Sequence, residues 1–353
     1  MRFGVLYNID YHEEIHGSAS RYYGAILDQI VALEELGYDS AWFGEHHYAR
    51  YSFGSPAVMA TAAAARTSRI RVGTGVSLVP LHHPLRLAEE YAMVDVLSGG
   101  RLEYGIGRGF LKTAYDLFGV DTETSITRYR EGAEVILAAW NAGGRPFDVE
   151  GEHWTLRGAE CFPPPLQQPH PPIYASGAAT LDSYLWAGRM GLNLATAFFI
   201  PKPDFVRDGI ARYREALVQA GHDPASREVL GVIQMYCADS NEEAAGQGWT
   251  YTQNYLRFFA DLDTRNPHDS TAYEAYRRRG GAKTMGDLTY ERFDRSNLSL
   301  IGDVERVIAK LRWVQDFYAP DGLLLEVAQG AMPPGQVIPV CERFARHVMP
   351  LFR

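Results

Sequence analysis

Three short polar clusters hold the residue types that could do chemistry in this chain: Glu45-His46-His47, Gly107-Arg108-Gly109, and Ser176-Gly177 with Thr180. Histidine is the side chain best placed to exchange protons near neutrality. An arginine between glycines, together with a hydroxyl-bearing helix start, suits a phosphate group. Each cluster also has a plainer reading. An arginine after a strand is commonly a surface ion pair, and a serine before a helix is commonly an N-cap. Neighbouring side chains on a strand point opposite ways, so one of His46 and His47 at most faces a ligand. The case for function lies in a shared position, since each cluster directly follows a short apolar run.

Those runs are the elements that must position the clusters. Ile70–Leu78 reads as a strand. A helix follows it with Leu87, Tyr91, Val94 and Leu97 on one face, stopped by Gly99-Gly100. Leu102–Ile106 then makes a second strand, and such a crossover gives adjacent parallel strands. The glycines at both strand ends would let a ligand approach the backbone closely. Further strands are expected at Phe3–Tyr7, Ser40–Gly44, Ile173–Ser176, Leu192–Phe198, Val229–Cys237 and Leu323–Val327, with helices between them and a closing helix at Val337–Val348. Eight βα units predict an α/β (β/α)8 TIM barrel, with a doubly wound open sheet as the alternative on strand count. In a barrel, all three clusters fall at the carboxyl ends of strands, the active face.

One domain is expected over 1–353, with two interruptions. Residues 143–172 are an excursion after strand four, rich in glycine and proline, with a hairpin at Phe147–Leu156. Asp261–Asn297, before the last helix–strand pair, is polar and poorly periodic. Its apolar anchors are few (Tyr273, Tyr276, Tyr290 and Phe293), and it reads as a mobile lid.

Composition narrows the function. Hydrophobic residues make up 46%, enough for a large core. With 34 basic and 43 acidic residues the formal charge is −9, which argues against a general nucleic-acid or anionic-membrane binder. No apolar run is long enough to span a bilayer, and the first twenty residues carry Asp10, Glu13 and Glu14 where a signal peptide would be apolar. Cys161, Cys237 and Cys341 are odd in number and far apart, as expected of free thiols in a cytoplasmic protein.

Two motifs are deceptive. His12-Glu13-Glu14-Ile15-His16 matches H-E-x-x-H, but Gly17-Ser18 interrupts any helix there, so no metal site is assigned. Gly105-Ile-Gly-Arg-Gly-Phe110 fails G-x-G-x-x-G at its last position, and no acidic residue ends a following strand.

Taken in order, the following stretches resemble the bacterial luciferase-like flavin monooxygenases: Ala41-Trp-Phe-Gly-Glu-His-His47; Val72-Gly-Thr-Gly75 running to His83-Pro84; Leu97-Ser-Gly-Gly-Arg-Leu-Glu-Tyr-Gly-Ile-Gly-Arg-Gly109; and a tail with Leu323-Leu-Leu-Glu326, Gly330, Met332-Pro333 and Val348-Met-Pro350. The resemblance implies a barrel that oxidises a small organic substrate with O₂. It would act through a C4a-peroxide of reduced FMN (FMNH2), delivered by a separate reductase. It implies that Arg108 clamps the FMN phosphate with Ser176, Gly177 and Thr180, and that Thr74 and Gly75 lie along the flavin. Gly107 and Phe110 would flank the flavin, and the Gly75–Val76 bond would be cis. It makes His46 the catalytic acid/base, oriented by Glu45. It further implies a homodimer through the small-residue helix Val58–Ala65. Gly107, Phe110, Ala114 and Ala197 depart from the light-emitting members' pattern, which points to a reshaped substrate pocket. Three other readings are a deazaflavin (F420)-dependent dehydrogenase of the same fold, a metal-dependent barrel hydrolase and a non-catalytic flavin-binding barrel.

Overall fold

The computed structural model describes residues 1–353 apart from 48–49, 178–179, 200–201 and 279–282; of Thr284 and Met285 it describes the backbone alone. Among the described residues, eight parallel strands close into a barrel: Arg2–Tyr7, Ser40–Phe43, Arg71–Thr74, Leu102–Gly107, Ile173–Gly177, Asn193–Ala197, Val229–Ala238 and Gly322–Val327. They are called the first to eighth barrel strands below. The ring closes because the eighth strand pairs with both the first (Arg2↔Gly322) and the seventh (Leu230↔Gly322). Helices cover it outside, from Ala19–Glu35 round to Pro334–His347. Strands buried on both faces need continuous apolar runs, and the first and eighth strands are buried almost throughout.

The expected single strand Ile70–Leu78 is broken. Arg71–Thr74 and Ser77–Leu78 are separate pieces joined through a cis Gly75–Val76 bond. Thr74 takes over the ladder at the break. Its hydroxyl donates to the Gly105 carbonyl at 2.7 Å and accepts from the Gly105 N–H at 3.0 Å. The glycines here serve packing between strands. A Cβ on Gly105 would lie 2.0 Å from the Thr74 carbonyl, and one on Gly107 would lie 2.3 Å from Val76 Cγ2. The close approach expected of a ligand at these two positions is therefore made by the neighbouring chain.

The amino end of the barrel is plugged by an ion-pair network. Arg2 donates to Glu103 and, at 2.6 Å, to Glu228, while Arg71 Nε donates to Glu103 at 2.8 Å. The excursion after the fourth strand holds the expected hairpin, Phe147–Glu150 with Thr155–Ala159.

The second interruption is more ordered than its composition predicts. The helix Trp249–Arg265 enters it, and short helical turns follow at Thr271–Tyr273, Glu274–Arg278, Lys283–Gly286 and Tyr290–Arg295. Tyr273 and Phe293 are buried, so two of the expected anchors hold it down; residues 279–282 of the expected lid lie outside the described ones. A further strand, Ser299–Asp303, pairs with the outer half of the seventh strand (Gln234↔Ser299). Its five residues are too few to show a period in the sequence. No helix among the described residues is long and apolar enough to cross a membrane.

Candidate active site

The carboxyl ends of the strands surround a cavity of about 190 Å³. Leu6, Trp42 and Leu324 form its floor, with the Gly75–Val76 bond along one side. Aromatic rings close it above: Phe110 and Phe259 lie 4.5 Å apart, and Tyr51 meets Phe259 edge-on at 6.4 Å. The polar atoms that reach this chamber belong to few residues, chiefly His46, Asn8, Ser176, Tyr255 and Glu326.

His46 follows the second barrel strand. Its backbone N–H donates to the Phe53 carbonyl at 3.0 Å, which fixes the turn. Its ring packs 4.4 Å from Tyr51 and 5.9 Å from Phe110. Part of the ring stays open to the chamber, yet the surroundings are dry enough that burial pushes its pKa down to about 3. His46 is therefore a neutral imidazole at physiological pH, able to accept a proton or to donate a hydrogen bond.

Glu45, expected to orient His46, turns away from it. One carboxylate oxygen accepts from His47 at 2.9 Å and His82 at 2.5 Å, and the other accepts from the Leu78 N–H at 2.9 Å. Burial opposes the charge, but these donors outweigh it and hold the carboxyl at about 2. The physical reason is strand alternation: Glu45 and His47 share one side, His46 takes the other. The ligand-type atoms of Glu45, His47 and His82 lie within 4.8 Å of one another, a spacing that suits a metal ion. None of the three lines the chamber.

The expected cofactor residues divide into two groups. Gly75, Phe110 and Ser176 line the chamber. Thr74, Gly107 and Gly177 stand behind its wall, Thr74 spent on Gly105 and Gly177 packed against Leu194 and Tyr184. Thr180 precedes helix Leu181–Arg189, where its hydroxyl meets Ser183 Oγ at 3.0 Å. Arg108 follows the fourth strand, two residues before Phe110 of the chamber wall. Its Nη1 donates to the Ala272 carbonyl at 2.9 Å and to Ser125 Oγ at 3.4 Å, and Tyr273 lies over the guanidinium at 4.0 Å. Among the described residues the Nε and Nη2 donors have no partner. A phosphate would find two parallel N–H groups there. The largely apolar chamber and the open edge of this arginine together fit a flavin phosphate ester.

Sequence reasoning passed over Glu326 except as part of a family pattern. The carboxyl is buried, at 2% exposure, and lines the chamber from the eighth strand. It accepts from Asn8 Nδ2 at 2.8 Å, Gln234 Nε2 at 2.8 Å and Tyr255 OH at 3.4 Å. Burial raises its pKa and these neutral donors only partly offset that, leaving it at about 7. The signal was available: a lone acid ending the apolar run Leu323-Leu-Leu, at a barrel strand's carboxyl end. His16 of the H-E-x-x-H stretch stacks on Tyr22 at 4.0 Å and faces the Met332 carbonyl at 3.2 Å.

A closed parallel barrel with an acid- and imidazole-bearing chamber at the carboxyl ends of its strands is the architecture of a barrel enzyme. The family model of luciferase-like monooxygenases matches residues 1–319. The chain belongs to that family and is an oxidoreductase of the flavin-dependent monooxygenase kind. The oxygenase component of a flavin-dependent trigonelline monooxygenase from Acinetobacter baylyi is 30% identical over 226 residues, 62% of this chain and 61% of the relative. Among solved structures, the monooxygenase RslO1 from Streptomyces bottropensis superposes with a TM-score of 0.86 at 26% identity, covering 100% of both chains. An F420-dependent secondary alcohol dehydrogenase shares the fold with a TM-score of 0.77 at 17% identity, covering 100% of this chain and 99% of the other.

Proposed function

We propose that the protein is an FMNH2-dependent monooxygenase that takes reduced flavin from a separate reductase and oxidises a small organic substrate with O₂. When bound, reduced flavin supplies the electrons that split O₂ between substrate and water. The chain's own residues do the rest: Arg108 and Ser176 hold the phosphate edge, the aromatic roof excludes water, and neutral His46 handles a proton at its ring nitrogen. The observation that carries this reading is Arg108, whose Nε and Nη2 donors have no partner among the described residues, at the strand end two residues before Phe110 of the chamber wall. It also favours FMN over F420, whose polyanionic tail calls for more cations. The nearby Lys112 is already paired with Asp116 at 3.0 Å.

The same reading includes a cytoplasmic homodimer. Val58 on helix Pro56–Arg66 is 64% exposed, and Met93 and Leu97 on the helix packed against it are exposed as well, an apolar face suited to a second copy. The test is titration of the purified protein with FMN, riboflavin and F420, before and after Arg108→Ala. A charge-assisted bond to phosphate is worth about 1.5–3 kcal/mol. FMN affinity should therefore fall roughly ten- to a hundredfold, while riboflavin, which lacks the phosphate, is unaffected. Equal loss of both ligands makes Arg108 structural, and preferential binding of F420 replaces the cofactor.

A further inference from the structure

We infer that the chamber selects an uncharged ring compound, phenolic or anilinic in class, seated with its O–H or N–H donor on Glu326. The inference rests on the monooxygenase reading in giving the flavin the Gly75–Val76 and Ser176 side of the chamber, which leaves the side of Glu326 and Tyr255 for substrate. Three observations carry it.

The first is shape and surface. Tyr51, Phe110, Tyr255 and Phe259 present ring faces and edges to a narrow space whose floor is Trp42 and Leu324. Rigid aromatic walls bury a flat π-system with little ordering cost and favour offset and edge-on contacts with it.

The second is charge. Among the described residues lining the chamber there is no arginine or lysine, and the one acid is Glu326. An anionic substrate would enter without a counter-ion and face a carboxyl in a medium of low dielectric, where like charges repel strongly.

The third is hydrogen-bond accounting. Glu326 accepts three bonds, from Asn8, Gln234 and Tyr255, and an ionised carboxylate has about four acceptor positions. No donor among the described residues takes the fourth, which is left for a donor from the chamber. An ammonium would bring three donors to this single position and leave the others unpaired in an apolar chamber, whereas a phenolic O–H brings one. Tyr255 is in turn held by Tyr51 OH at 2.8 Å, so the acceptor is fixed from behind.

The experiment is calorimetric binding to the full chain with oxidised FMN present. The probes share one ring and one methyl group: p-cresol, 4-methylanisole, 4-methylbenzoate and 4-methylbenzylammonium. p-Cresol should bind about tenfold more tightly than each of the others. Glu326→Gln should bring p-cresol to within about twofold of 4-methylanisole and leave the anisole unchanged. A readout without mutation is pH: the preference for p-cresol over the anisole should rise as pH passes through the neutral range, where Glu326 loses its proton while p-cresol, like tyrosine, stays neutral. Tighter binding of the benzoate or the ammonium, equal binding of cresol and anisole at every pH, or no measurable binding of any probe overturns the inference. Failure of these probes while FMN binding still depends on Arg108 leaves the flavin reading standing, so the two are separable.

Discussion

At the amino end of the barrel Glu103 lies between the guanidinium groups of Arg2 and Arg71; at the carboxyl end Glu326 has three neutral donors and, among the described residues, no cation. Both carboxyls are buried, and burial is the largest influence on each, pushing each pKa upward. The partners differ in kind. Two fixed positive charges commit Glu103 to an ion-paired plug, whereas amides and a phenol leave Glu326 free to change protonation near neutrality. The same fold thus spends one buried acid on closure and keeps another available for a ligand. The difference teaches that burial alone does not mark a functional acid; burial without a counter-charge, facing a cavity, does.

The sharpest way to widen this contrast is His46→Ala. Proton transfer by a positioned side chain is worth roughly 10²–10⁴ in rate, so product formed per reduced flavin should fall by that factor while FMN still binds. Oxygen should still be consumed and released as hydrogen peroxide. His47→Ala, which loosens the Glu45–His82 cluster outside the chamber, should lower stability and keep product coupling. If His47→Ala uncouples the reaction and His46→Ala does not, the two histidines have exchanged roles.

Glu103→Ala tests the opposite end. Removing one partner of a buried pair leaves uncompensated charge and costs about 3–5 kcal/mol. Arg2 and Arg71 each keep some solvent access, so the lower figure is expected. Urea unfolding should show that loss, with activity per folded molecule nearly unchanged. A variant of ordinary stability but impaired turnover would erase the distinction between the two ends.

Glu326→Gln gives a comparable but pH-limited effect. In the folded chain Glu326 titrates at about 7, against an ordinary 4.5. Between those values the folded state holds the extra proton, so stability falls as pH rises through the window and is level above it. That amounts to about 3 kcal/mol. Glutamine cannot ionise, so the variant's stability relative to the parent should grow by that amount from about pH 4 to about pH 8. Parallel pH curves for variant and parent would mean that Glu326 is already ionised in the fold.

The barrel was legible because its strands are apolar runs of ordinary length separated by helical periods, and because the polar clusters sit where those runs end. The site was legible as a location and less so as a wiring diagram. His46 and Ser176 reach the chamber as strand ends should, whereas Glu45 pairs with His82, a partner 37 residues away that no local pattern names. Gly107 and Gly177 look like ligand contacts in sequence and turn out to be spaces for Val76 and Leu194. Glu326 faces its site only once the eighth strand is closed against the first and seventh. Ser299–Asp303 was invisible because it depends on one edge of the seventh strand and has no period of its own.

The smallest expected effect concerns the cover over Arg108. Tyr273 donates to the Gly109 carbonyl at 3.0 Å, stacks on His268 at 3.6 Å and lies over the Arg108 guanidinium. His268 reaches the Phe110 carbonyl at 2.6 Å, and Thr271 is held to Glu123 through its N–H at 2.8 Å and its hydroxyl at 2.6 Å. Tyr273→Phe keeps the buried ring over Arg108 and against His268 and removes a hydrogen bond worth about 1 kcal/mol. The His268 and Thr271 contacts remain, so the loss falls on local opening of this segment and leaves the barrel intact. A loss near 1 kcal/mol makes opening roughly five times more frequent. Trypsin should then cut after Arg277 about fivefold faster, with the thermal midpoint of the barrel little changed, and FMN should slow the cut in both proteins if its phosphate and this cover share Arg108. Unchanged cutting would show that the Tyr273 hydroxyl does not hold the cover. A parallel fall in thermal midpoint would show that the segment unfolds with the barrel, joining the cover to the structural side of the comparison.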